Sequence, residues 1–162
     1  MAGSKQVAVS DRRLPQSSIS SPDIQRVALV FDPHAPYHHP PAVANVVAAI
    51  QDYIGTRRNA VLGFGGDSYD MYLASSYKHM DNGKGPQLLA DEIELGWEEC
   101  IKPLVQAAPN AETKFALGGN HEERGKRLLA AAAPMLREQA INWEDLFHWK
   151  EAGFKYMAPN AG

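Results

Sequence analysis

Three times in this chain a short apolar run breaks off into glycine or proline and side chains able to bind a metal. That recurrence limits the fold more than any other feature. The runs are 26–31 (RVALVF), 60–64 (AVLGF) and 113–117 (TKFAL), ending in Asp32-Pro33-His34, Gly65-Gly66-Asp67 and Gly118-Gly119-Asn120-His121. Short apolar runs bounded by turn formers have the pattern of buried strands. After the first, Pro40 and Pro41 suit the opening turn of a helix, and Val43, Val46, Val47, Ile50 and Ile54 recur at spacings of three and four before Gly55 and Thr56. After the second, the spacing predicts a helix over about 87–107, with Leu89, Ile93, Trp97, Ile101 and Leu104 inward. Asp91, Glu92, Glu94, Glu98 and Glu99 fall largely on its solvated side, and Pro103 is placed to kink its last turn. After the third, an Ala-rich helix heads towards Gln139 with Pro134 placed to split it, and Phe154 could begin another strand.

Repeated strand, loop and helix units predict an α/β fold: a parallel sheet of βαβ units flanked by helices and joined by right-handed crossovers. Ligands of such sheets bind beyond the carboxyl ends of the strands, where all three polar clusters fall. Residues 1–25 have no sustained apolar period and read as a flexible N-terminal arm, leaving 26–162 as the domain.

Composition narrows the chemistry. With 16 Lys and Arg against 19 Asp and Glu, the net charge of −3 gives no bulk attraction for nucleic acid or anionic lipid. A phosphate-bearing partner must be held by a local site. Cys100 is the only cysteine, which excludes an intramolecular disulfide and a multi-cysteine zinc site and suits a reducing compartment. The longest apolar stretch, 128–135, is too short to cross a bilayer, and no signal-peptide pattern opens the chain; a cytoplasmic protein without a membrane partner is expected.

Metal ligands must therefore come from His, Asp, Glu or Asn. Asp32 and His34 are two apart in an extended segment, so both side chains can project to one side and grip an ion. Asp67 follows two glycines and presents a carboxylate able to bridge two cations. Asn120 offers a neutral oxygen to a second ion, and His121 can face substrate as donor or general acid. Taken singly, Asp32 could cap a turn, Asp67 could belong to a Gly-rich turn and Asn120 could cap a helix. Arg124 could contact phosphate in bidentate fashion or be an ordinary surface residue.

Together, in this order, Asp32-Pro33-His34, Gly66-Asp67-Ser68-Tyr69-Asp70 and Gly119-Asn120-His121-Glu122 resemble the successive motifs of the calcineurin-like metallophosphoesterase superfamily. The surrounding residues are most similar to its phage-type branch. The resemblance implies the first half of an αββα sandwich. It places Asp32 and His34 on one ion, Asp67 between two ions, Asn120 on the second, and His121 against the phosphate or the leaving oxygen. One or two divalent ions (Mn, Fe, Zn or Mg) would then serve hydrolysis of a phosphomonoester or phosphodiester by metal-activated water, with a nucleotide or nucleic-acid end as candidate substrates. Asp70 and Glu122 would orient the ligands. Lys78, Lys84, Arg124, Lys126 and Arg127 could guide a phosphate-bearing strand.

The family's later lone His and Gly-His-x-His motifs are absent; beyond His121 only His148 follows. One ion is accordingly easier to build than two. His38 and His39 read as loop residues that could substitute as ligands, His148 as a packing residue and His79 as surface. Without the family's second half, one sheet face would lack a cover, so pairing with a second copy or a complementary chain is expected. The alternatives to an enzyme are a non-catalytic, metal-stabilised interaction module and a truncated, inactive phosphoesterase half.

Overall fold

The computed structural model describes residues 26–75, 86, 88–132 and 141–158. The apolar runs form β1 (Arg26–Val30), β2 (Ala60–Phe64) and β3 (Thr113–Leu117), and Lys155–Met157 adds β4. The strands lie in the order β1-β2-β3-β4, and every neighbouring pair is parallel. The fold is thus mixed α/β with a four-stranded parallel sheet. When each strand is followed by its immediate neighbour, crossovers of one hand stack their helices on one face.

Helix α1 (Pro40–Tyr53) begins on its two prolines and ends at Gly55, whose φ of +54° and N–H bond to the Ile50 carbonyl (3.2 Å) turn the chain. Its buried stripe is narrower than the periodicity suggests: Ile50 and Ile54 are buried, Val43 and Val47 half-buried, and Val46 exposed. Helix α2 (Leu89–Gly96) passes through a π-helical turn (Trp97–Ile101) into α3 (Lys102–Gln106). Pro103 accounts for that turn. It has no N–H for the carbonyl four residues back and its ring crowds that carbonyl, so the preceding Lys102 N–H bonds Trp97, five residues back. Helix α4 covers Glu122–Ala132, and Pro134 and Gln139 lie outside the described residues. Asn142 caps the short α5 (Trp143–Leu146), its Oδ1 accepting from the amides of Glu144 (3.1 Å) and Asp145 (3.4 Å).

Glu92 departs from its expected solvated position. It is buried on α2 and accepts from the amides of Tyr72 (2.6 Å) and Leu73 (2.9 Å), tying α2 to the chain after β2.

One sheet face carries the core. Ala28, Val30, Leu62, Phe64, Ala116 and Tyr156 join Ile50, Ile93, Trp97, Ile101 and Leu104 of the helices. The Phe64 ring centroid lies 5.1 Å from that of Trp149 and 5.6 Å from that of Phe154. The alternate residues point the other way, and among the described residues that second face is open: Val27 is 48%, Leu29 47%, Phe31 60%, Leu117 38% and Met157 36% exposed. β1 is therefore an edge strand covered on one side, where its unbroken apolar run predicts a fully buried one. No helix among the described residues is long and apolar enough to cross a membrane.

Candidate metal centre

Beyond the strands, the first two loops stay zipped together. The amides of Asp32, His34 and Ala35 donate to the carbonyls of Gly66 (3.3 Å), Asp67 (3.1 Å) and Ser68 (2.9 Å), and the Asp70 amide returns to Ala35 (2.9 Å). The third loop joins through Asp67, whose Oδ1 accepts from the His121 amide at 2.9 Å. Gly119 permits the approach, because a Cβ there would collide with the Asp67 carboxylate and amide. Asp32, His34 and Asp67 all adopt left-handed backbone, with φ of 49°, 50° and 48°. Such conformations cost non-glycine residues about 1–2 kcal/mol each and cluster at functional sites.

Two groups of side chains here could hold a metal ion: Asp32, His34 and Asp67, and His34, Asp70 and His121. In each, the potential ligand atoms lie within 4.8 Å of one another. Asp32 is exposed and the other members are half-buried. The His34 and His121 rings meet edge-on with centroids 4.5 Å apart.

Around these groups the polar atoms interlock. His34 Nδ1 contacts Asp70 Oδ2 at 3.1 Å; as the donor in that bond it leaves Nε2 for an ion, a common arrangement behind ligating histidines. Glu122, buried at the start of α4, accepts from the amides of Asp67 (3.2 Å), Tyr69 (2.9 Å) and Gly119 (2.7 Å), clamping the second and third loops. Burial raises its pKa above the usual carboxylate range, the Asp67 charge adds to the rise, and the backbone bonds partly offset it.

Arg124 donates to the Asp70 carbonyl at 2.9 Å and meets His121 Nε2 at 2.7 Å. A guanidinium only donates, so Nε2 accepts and the ring proton sits on Nδ1, 2.9 Å from the Asp70 carbonyl. Both ring nitrogens are committed in this arrangement, and Arg124 must withdraw before Nε2 can give a proton to a substrate. The three-residue spacing of Arg124 from His121, at the start of a helix, was the available sign of this pairing.

Asn120 is exposed and, with Arg124 and Arg127, borders an adjoining cavity of about 460 Å³. Arg127 donates to the Asn120 carbonyl at 3.0 Å. His38 and His39 line a smaller cavity of about 220 Å³ that also includes Asp32, and burial lowers the pKa of His38. Neither belongs to the groups able to hold an ion. His148 packs elsewhere, stacked on Trp97 (4.8 Å) with Nε2 2.9 Å from Glu94 Oε2. Lys78, His79 and Lys84 lie outside the described residues. Comparison of this chain with known protein families, curated proteins and solved structures yields no match.

Proposed function

We propose that this protein is a metal-dependent phosphoesterase whose ion sits among Asp32, His34 and Asp67. The carrying observation is the convergence of two carboxylates and an imidazole from two strand ends, all on left-handed backbone. The motif order that resembles calcineurin-like metallophosphoesterases, phage-type ones in particular, supports the same reading. Of the two groups, Asp32, His34 and Asp67 suit a cation better, because the Arg124 guanidinium already lies against Asp70 and His121. Oxygen and imidazole donors without thiolate suit Mn, Fe, Zn or Mg, and the Asn120 oxygen is the candidate ligand for a second ion.

Bound there, a divalent ion supplies polarisation of a phosphoryl oxygen and a lowered pKa for the attacking water. The chain does the positioning. Asp70 orients His34, and the His121 amide and Glu122 hold the Asp67 loop. Arg124 faces the ester's negative charge, and its movement opens His121 Nε2 to take up the proton that the attacking water releases and pass it to the leaving oxygen, as the water oxygen bonds to phosphorus and the ester P–O bond breaks. Phosphomonoesters and phosphodiesters both fit this chemistry. The lone, buried Cys100, its thiol pushed by burial up to about 12, fits a cytoplasmic location.

The test is hydrolysis of p-nitrophenyl phosphate and bis(p-nitrophenyl) phosphate by metal-loaded protein. Turnover that a chelator stops and that Asp67→Asn and His121→Ala abolish without unfolding supports the proposal; turnover surviving both substitutions contradicts it. A second reading, in which an ion only pins the loops of a non-catalytic module, is favoured by the left-handed carboxylate positions that a counter-ion would steady. It predicts a metal-dependent rise in melting temperature with no turnover.

A further inference from the structure

The cavity beside the third loop is lined by none of Asp32, His34 and Asp67. Its volume, about 460 Å³, falls within the roughly 300–1,000 Å³ of small-molecule sites. Arg124 and Arg127 are three residues apart on α4 and share a helix face. Arg124 is anchored by Asp70 and His121, which fixes it between the cavity and the His/Asp groups. Arg127 is exposed; among the described residues its one hydrogen bond goes to the Asn120 carbonyl, leaving further guanidinium donors for a ligand. Ala74, Leu128 and Ala131 add apolar lining. Two guanidinium groups beside an apolar wall match a phosphate attached to a flat, weakly polar ring system. A chain of net charge −3 has no general pull on polyanions, so this pair is a local feature.

We propose that Arg124 and Arg127 hold the phosphate next to the scissile one, with a base against the apolar wall, so that the ligand of this site is single-stranded nucleic acid. The proposal rests on the phosphoesterase reading for the bond cleavage after binding, but not for binding itself.

Fluorescence anisotropy with a labelled, phosphorothioate-linked single-stranded pentanucleotide reads binding apart from turnover. Arg127→Ala is expected to weaken binding about tenfold and to reduce the salt slope by about 0.7, the share of one phosphate contact on a single strand. Arg127→Lys should recover part of both. Lys102→Ala, on another helix and outside the cavity lining, should leave binding within about twofold, since it tests charge without contact. An unlabelled strand should displace the probe at far lower concentration than inorganic pyrophosphate. Equal displacement assigns the cavity to bare polyphosphate and overturns the proposed ligand. No binding by the unaltered protein, unchanged binding by Arg127→Ala, or an equal loss in Lys102→Ala also overturns it. Arg127-dependent binding without hydrolysis of any ester leaves this site standing and removes the phosphoesterase reading; hydrolysis of bis(p-nitrophenyl) phosphate with Arg127-independent binding does the reverse.

Discussion

The two sides of the strand-end pole are built differently. On the β1–β2 side, Asp32, His34 and Asp67 sit on left-handed backbone, cross-bonded between loops and backed by Asp70 and the buried Glu122. On the β3 side, exposed Asn120 and Arg127 border an open cavity, and of the arginines lining it Arg124 is the one tied to Asp70 and His121. A small cation needs ligand atoms held within a fraction of an ångström. A larger anion can be met by long side chains that adjust. Rigidity is concentrated where carboxylates converge, and open volume where guanidinium groups do.

The largest effect should follow substitution on the rigid side. Asp67→Asn removes a charge shared between the proposed ion site and the third loop, and turnover of bis(p-nitrophenyl) phosphate should fall on the order of 10²–10³-fold, as when one group stabilising developing charge is lost. A loss no larger than the one Arg127→Ala produces would erase the contrast between the sides. Next comes the clamp. Glu122→Ala leaves the amides of Asp67, Tyr69 and Gly119 without their carboxylate acceptor. Only the Tyr69 bond is fully buried, so at about 1–3 kcal/mol for an unsatisfied buried group the substitution should cost about 1–3 kcal/mol, read from the denaturant midpoint. Glu122→Gln, which keeps an acceptor oxygen, should cost less. An unchanged midpoint in Glu122→Ala would show that the loops are held by other bonds.

Asp70→Asn tests the support behind His34. Metal affinity should drop about 10–100-fold, the usual consequence of losing a partner behind a ligating histidine, with the fold intact by circular dichroism. Affinity equal to that of the unaltered protein would mean His34 is oriented by other contacts. The smallest effect belongs to Cys100, buried on the helical layer, with its thiol pushed up to about 12. Native protein at neutral pH should resist maleimide labelling and react fully in denaturant. Rapid native labelling would show that this layer opens.

Periodicity made most of the fold legible. The runs at 60–64 and 113–117 became β2 and β3 without change, and the helix expected over about 87–107 runs to Gln106, perturbed by a π-turn just ahead of Pro103 where a kink in its last turn was expected. Apolar period reports which residues seek a core but not how many faces a strand covers, so the edge position of β1 was hidden. Glu92 was hidden for a related reason: its partners, the amides of Tyr72 and Leu73, belong to a separate loop. Within the site, the convergence of Asp32, His34 and Asp67 was legible because each follows a strand that ends at the same pole. The cavity beside Arg127 arises where the chain after β2 meets α4, which no local spacing encodes, whereas Arg124 lies three residues after His121, a helical-neighbour spacing that the sequence did contain.

The most direct measurement is equilibrium dialysis against manganese with elemental analysis, applied to the unaltered protein and to Asp32→Ala, His34→Ala, Asp67→Ala and His148→Ala. The account predicts that the unaltered chain and His148→Ala retain the ion while each of the other three loses it. Equal manganese in all five proteins would contradict it.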